Sequence, residues 1–69
     1  MPRLIKLSDQ IKNERIKLGL SQAKLADRIG VKTTEVWRWE NEIAMPTLYT
    51  LLELAEFFKL SVDELVYGR

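Results

Sequence analysis

The sequence predicts an all-α fold of five short helices, and three observations lead there. Apolar residues recur at three- and four-residue spacing throughout, with no convincing strand-type alternation. Gly (three) and Pro (two) are scarce among 69 residues, which leaves little material for long loops. A repeated device marks helix starts: an apolar residue, a cap, then an apolar residue four positions past the cap.

Taken in order, the first helix spans roughly 8–18, turns Leu7, Ile11 and Leu18 inward and stops at Gly19, a natural C′ residue. The second starts near 22, where Leu20, Ser21 and Leu25 form the device, and ends at Gly30. The third starts near 33 on Val31, Lys32 and Val36, although the Lys32 side chain has no acceptor with which to cap. The fourth starts near 48 on Pro46, Thr47 and Leu51. The fifth starts near 62 on Leu60, Ser61 and Leu65, with Glu64 completing a capping box with Ser61. Turns of three or four residues join them. No linker, low-complexity segment or tandem repeat interrupts residues 1–69, so one domain is expected.

Hydrophobic content is 46% and charged content 30%, ordinary for a globular domain and too apolar for a disordered one. A chain this short buries only about 60% of its unfolded surface, so its core has to be efficient. The sequence has no Cys and no His, which removes disulfides, thiolate nucleophiles, imidazole acid–base chemistry and most zinc sites. It also lacks a Gly-rich phosphate loop and any carboxylate cluster at metal-ligand spacing; Asp63 and Glu64 are accounted for by capping and the helix dipole. No enzyme, cofactor or metal is expected. No apolar run approaches the roughly 18 residues of a membrane span, and the start, MPRLIKLSDQ, lacks the apolar stretch of a secretory signal. A cytoplasmic protein without a membrane partner is expected. With no room for a sensor domain after residue 67, regulation is expected through concentration, degradation or a partner.

The net charge of +1 hides an asymmetry. Residues 1–38 hold nine Lys/Arg against four Asp/Glu, whereas residues 39–69 hold two against six. One end is suited to face a polyanion and the other to repel it.

The stretch VKTTEVWRWE, residues 31–40, contains both tryptophans. At about 100° per residue, Trp37 and Trp39 lie roughly 200° apart on a helix, so they cannot share a face. Val36 and Trp39 form an apolar stripe and belong to the core. Thr33, Thr34, Trp37, Arg38 and Asn41 span about 140° on another side. That side has the chemistry of a base reader: Arg forks onto guanine O6 and N7, and Thr hydrogen-bonds a base edge or offers its methyl to thymine. Side chains near the start of a helix are what a major-groove element requires. The preceding helix presents Ser21 and Gln22 at its N-terminus, where backbone N–H groups and the dipole favour a phosphate. Lys24, Arg28 and Lys32 add positive charge nearby. For Trp37 three roles stay open: packing on a sugar or thymine methyl, covering the protein's own surface, or meeting a protein partner.

At these residues the chain resembles the lambda-repressor-like, Cro-type (XRE) helix-turn-helix family over roughly residues 7–67. The markers are Leu20-Ser21-Gln22, Leu25-Ala26, Gly30-Val31, Val36, Trp39-Glu40, Pro46 and the closing Leu60-Ser61-Val62-Asp63-Glu64-Leu65, all in register. The resemblance implies a compact five-helix domain with its helix-turn-helix at about 21–41. It implies base contacts from Thr33, Thr34 and Arg38, and phosphate contacts from Gln22, which would also brace the first reading residue, and from Asn41. It implies a tight helix pairing at Ala26, a turn at Gly30, and a buried salt bridge between Arg15 and Glu40. Three positions depart from the family. Glu42 stands where glycine is usual; a left-handed backbone there would carry a Cβ penalty, so a different turn is expected, and the carboxylate would repel a phosphate. Lys32 replaces the Ser/Thr cap, and Trp37 replaces a small or polar residue.

The function expected is that of a sequence-specific DNA-binding transcriptional regulator, a repressor, acting as a homodimer on palindromic double-stranded DNA. Phe58 is expected in the core, and Phe57, read as exposed, forms with Val66 and Tyr67 a candidate dimer patch. A second reading is a protein-interaction module, such as an antitoxin that neutralises a toxin or a coactivator that touches a regulator. Trp37, Glu42 and the acidic second half motivate it.

Overall fold

A computed structural model describes residues 6–68 of the chain. Among them are α1 (Leu7–Lys17), α2 (Gln22–Ile29), α3 (Thr33–Glu40), α4 (Leu48–Phe58) and α5 (Val62–Tyr67), with no strand. The fold is all-α, and α2 to α5 start where their capping devices place them. Ser21, Thr47 and Ser61 each accept a hydrogen bond from the backbone N–H three residues on. At α5 the Glu64 carboxylate also accepts from the Ser61 N–H at 2.9 Å, which completes the box.

α3 lacks half of such a box. The Lys32 side chain cannot accept, but Glu35 Oε2 accepts from the Lys32 N–H at 3.0 Å, satisfying one otherwise orphaned donor. Gly30 closes α2 in the left-handed region at φ 83°, with its N–H on the Ala26 carbonyl. A Cβ at Gly30 would meet nothing within 4 Å, so glycine is needed here for its backbone alone.

The core joins all five helices. It comprises Leu7, Ile11, Leu25, Ala26, Ile29, Val36, Trp39, Leu54, Ala55, Phe58 and Leu65, every one apolar. α2 and α3 pack closely on one another, with α1 behind α3, α4 against α2, and α5 against both α1 and α4. Ala26 is fully buried on α2, where the small side chain allows that approach. The start of α1 is pinned to α5 by the Lys6 N–H on the Val66 carbonyl (2.6 Å) and by Gln10 Nε2 on the Glu64 carbonyl (3.1 Å).

Four expectations need correction. Leu18 does not point inward; it is exposed at the C-cap of α1. Arg15, one turn after Ile11 on the same face, takes the inward place at that end, and the chain turns away at Gly19 (φ 69°). The connection from α3 to α4 is longer than four residues and runs over 41–47, because Pro46 cannot donate to a helix and pushes the residue before it out of the helical region. Glu42 keeps the left-handed turn despite its Cβ, at φ 59°. The Ile43 N–H reaches back to the Arg38 carbonyl at 2.9 Å and that of Glu42 to Trp39 at 3.3 Å, so satisfied carbonyls at the end of α3 offset the backbone cost. Finally, Phe57 is half-buried against the core with its ring 5.5 Å from that of Phe58. Val66 is half-buried too, so of the patch Phe57, Val66 and Tyr67 only Tyr67 is exposed.

Candidate nucleic-acid interface

The site is assembled from the N-terminus of α2, the turn at 30–32 and the outer face of α3. Ser21 Oγ accepts from the Lys24 N–H at 3.1 Å, and the Ser21 carbonyl accepts from the Leu25 N–H at 3.0 Å. The Gln22 and Ala23 N–H groups therefore head the helix without an intrahelical partner and are directed at any anion placed there. The Ser21 hydroxyl hydrogen is still available to donate. Lys24, Arg28 and Lys32 are exposed nearby, and among the described residues none of them, nor Arg38, is held in an ion pair.

On α3 the two tryptophans part as the helical phase requires: Trp39 is 5% exposed and Trp37 47%. Val36 and Trp39 anchor the helix, while Thr33, Thr34, Trp37 and Arg38 stand on its solvent side. The structure thus brings the four sequence-derived base-reading residues onto one surface, beside the phosphate-suited end of α2.

Two of the other candidates also carry hydrogen bonds within the protein. Asn41 Nδ2 donates to the Trp37 carbonyl at 2.8 Å, so its side chain closes the end of α3 and keeps one N–H and its oxygen for outside contacts. Gln22 Nε2 donates to Glu40 Oε1 at 3.1 Å, leaving its second amide hydrogen free to reach outward. Asn near a helix end was a legible capping signal; the inward bond of Gln22 depends on tertiary placement and left no local trace.

Behind this face lies the clamp that sets its angle. Arg15 Nε and Glu40 Oε2 are 2.7 Å apart and Arg15 Nη2 donates to Glu40 Oε1 at 3.0 Å, a side-on fork. Arg15 Nη1 donates in addition to the Leu20 carbonyl at 2.8 Å. The side chains are 13% and 3% exposed. One ion pair therefore ties α1, the turn before α2, and the last residue of α3, while Gln22 adds the start of α2. The Glu40 carboxylate, by accepting from the guanidinium, raises Arg15 above the ordinary arginine value against the opposing effect of burial. A raised pKa contributes stability that is lost only as pH climbs through it. That window lies above the arginine range, so alkaline titration of Arg15 does not open the clamp at any ordinary pH.

A helix capped by Ser21, a glycine turn, a second helix with a polar outer face and a clamp at its end form a helix-turn-helix. The helix-turn-helix family matches residues 11–65. This chain belongs to it. The Cryptic phage CTXphi transcriptional repressor RstR of Vibrio cholerae is 31% identical over 61 residues, 88% of this chain and 54% of RstR. The HTH-type transcriptional activator BcrR of Enterococcus faecalis is 27% identical over 64 residues, 93% of this chain and 31% of BcrR. The chain thus spans about half the length of one curated relative and about a third of the other. Among solved structures, a transcriptional regulator from Listeria innocua superposes with a TM-score of 0.87 at 27% identity, covering 97% of this chain and 62% of that one. The P22 c2 repressor in complex with a synthetic operator superposes with a TM-score of 0.86 at 29% identity, over 99% of this chain and 100% of the repressor chain. Helix-turn-helix membership extends from Ile11 on α1 to Leu65 on α5, so the match includes the clamp as well as the two central helices.

Proposed function

We propose that this helix-turn-helix protein is a sequence-specific DNA-binding transcriptional regulator, a repressor, acting in the cytoplasm as a homodimer on palindromic duplex DNA. The carrying observation is the two-sided α3: Val36 and Trp39 fix it to the core while Thr33, Thr34, Trp37 and Arg38 project from the opposite side. Inserted in the major groove, Arg38 forks onto a guanine, Thr33 and Thr34 meet base edges or thymine methyls, and Trp37 packs its exposed ring against a methyl or sugar.

Phosphates are held by the N–H groups at the start of α2, the Ser21 hydroxyl, the second amide hydrogen of Gln22, and Lys24, Arg28 and Lys32. Asn41 supplies a further contact beyond α3. These contacts set register, and the α3 face sets sequence. Residues 1–69 work as one unit in this scheme, and occupying a promoter represses without a chemical step. The resemblance to RstR and to an operator-bound repressor supports the sign; BcrR, an activator, marks the alternative.

Binding-site selection from random duplexes tests the reading. Enrichment of an inverted repeat with at least one guanine per half-site is expected, with half-sites about 34 Å apart. A pool that stays random after repeated rounds would contradict it, and a co-purifying protein with no enriched duplex would point to an interaction module instead.

A further inference from the structure

Helix α3 carries three ionisable side chains, Glu35, Arg38 and Glu40. Glu40 is held in the clamp, and Arg38 is open to a base. Glu35 is the unexplained one: a carboxylate near the end of the helix that would approach a polyanion. A phosphate or a base acceptor placed beside it would be repelled.

Its position is fixed from inside. Glu35 is half-buried, and its Oε2 accepts from the Lys32 N–H at 3.0 Å. That bond folds the side chain back toward the first turn, so the carboxylate stands at the N-terminal end of α3. One oxygen is thereby used. Among the described residues the other takes no hydrogen bond, and neither Lys32 nor Arg38 pairs with it. Helical phase puts Thr34 and Arg38 about 40° apart in the middle of the outer face. Trp37 lies about 60° beyond Thr34 on one flank, and Glu35 about 60° beyond Arg38 on the other.

On the DNA-binding reading of α3, on which this rests, we propose that Glu35 is a specificity-determining residue. Its second oxygen accepts a hydrogen bond from the N4 amino group of a cytosine in the major groove, at a base pair other than the one Arg38 reads. Chemistry selects the base. A carboxylate has nothing to donate, so it needs a donor. The groove offers amino groups only at cytosine N4 and adenine N6, and adenine sets its N7 acceptor beside N6. Guanine and thymine present acceptors there and no donor. One base is attracted and the others are rejected, so discrimination comes from both arms. Place separates Glu35 from Arg38. The carboxylate is drawn to the level of residue 32, six residues or about 9 Å of helix before Arg38. Successive bases stack about 3.4 Å apart, so the two side chains meet different base pairs.

The test is binding-site selection with wild type, Glu35→Gln and Glu35→Ala, followed by affinities on single-base variants at one salt concentration. Gln keeps the length and a carbonyl oxygen for the Lys32 N–H, so its thermal melting is expected to match wild type. Wild type is expected to select a cytosine in each half-site, apart from the guanine read by Arg38. Replacing that cytosine is expected to weaken binding on the order of 10-fold. Glu35→Gln is expected to lose this preference alone, with adenine gaining, because an amide offers the acceptor and donor that adenine N6 and N7 take. Glu35→Ala, less stable without its cap, is expected to be indifferent at the same position while keeping the guanine. Cytosine discrimination retained in either variant would overturn the assignment and leave Glu35 a cap, whose loss weakens all duplexes alike. A wild-type consensus without cytosine would overturn it too, with the regulator reading intact. A wild-type pool that enriches no duplex would overturn that reading, and this assignment with it.

Discussion

Trp37 and Trp39 sit two residues apart on one helix, yet one is 47% exposed and the other 5%. Both are carried by the same eight-residue α3, so helical phase, not local composition, separates them. The inner side is specified by contacts that the rest of the fold supplies: Val36 and Trp39 in the core, and the Glu40 carboxylate in the Arg15 fork. Among the described residues the Thr33, Thr34 and Arg38 side chains on the outer side enter no ion pair or side-chain hydrogen bond, which leaves them able to be specified by something outside. Residues on the inner side should therefore govern stability, and those on the outer side recognition.

The largest effect expected from breaking that division is at Trp39. Trp39→Ala should lower stability by about 3–5 kcal/mol, the cost of an aromatic-sized cavity, as measured by urea unfolding. Trp37→Ala should change it by less than about 1 kcal/mol; equal losses at the two sites would erase the distinction. Fluorescence sharpens it: with Trp39→Phe the remaining emission should be quenched readily by acrylamide, and with Trp37→Phe it should be shielded.

The clamp comes next. Glu40→Ala should cost about 2–3 kcal/mol, between the exposed and fully buried limits, because it strands a guanidinium that is 13% exposed. The same variant should weaken all DNA sequences alike by loosening α3, a result that separates positioning from base reading.

Glu42→Gly should stabilise by about 0.5–1 kcal/mol, since the left-handed strain relieved slightly exceeds the chain entropy gained by the unfolded state. Denaturant midpoints check it, and a destabilised variant would show that the side chain outweighs its backbone strain. Smallest in free energy is Lys24→Ala, which should leave sequence preference intact and reduce the slope of log affinity against log salt by about 1.

Fold and site were legible to different depths. Capping devices are local, so the starts of α2 to α5 could be read from residues three and four apart. The separation of the tryptophans followed from phase alone. What could not be read depended on what fills space beside a residue. Leu18 has the right phase to be buried, but Arg15 occupies that place; Phe57 looked like the outward member of a pair and is half-buried. The turn at Glu42 was expected to change because glycine was missing, whereas carbonyls needing partners at the end of α3 hold it in place.

The central claim is that the outer side of α3 reads bases, and Arg38 tests it most directly. Affinities of wild type and Arg38→Ala should be measured at one salt concentration on the selected duplex and on the set with each guanine replaced in turn. Wild type is expected to lose about 1–3 kcal/mol at one guanine per half-site, and Arg38→Ala to be indifferent to that same position while keeping its preferences elsewhere. Discrimination by Arg38→Ala equal to that of wild type at every position would contradict it.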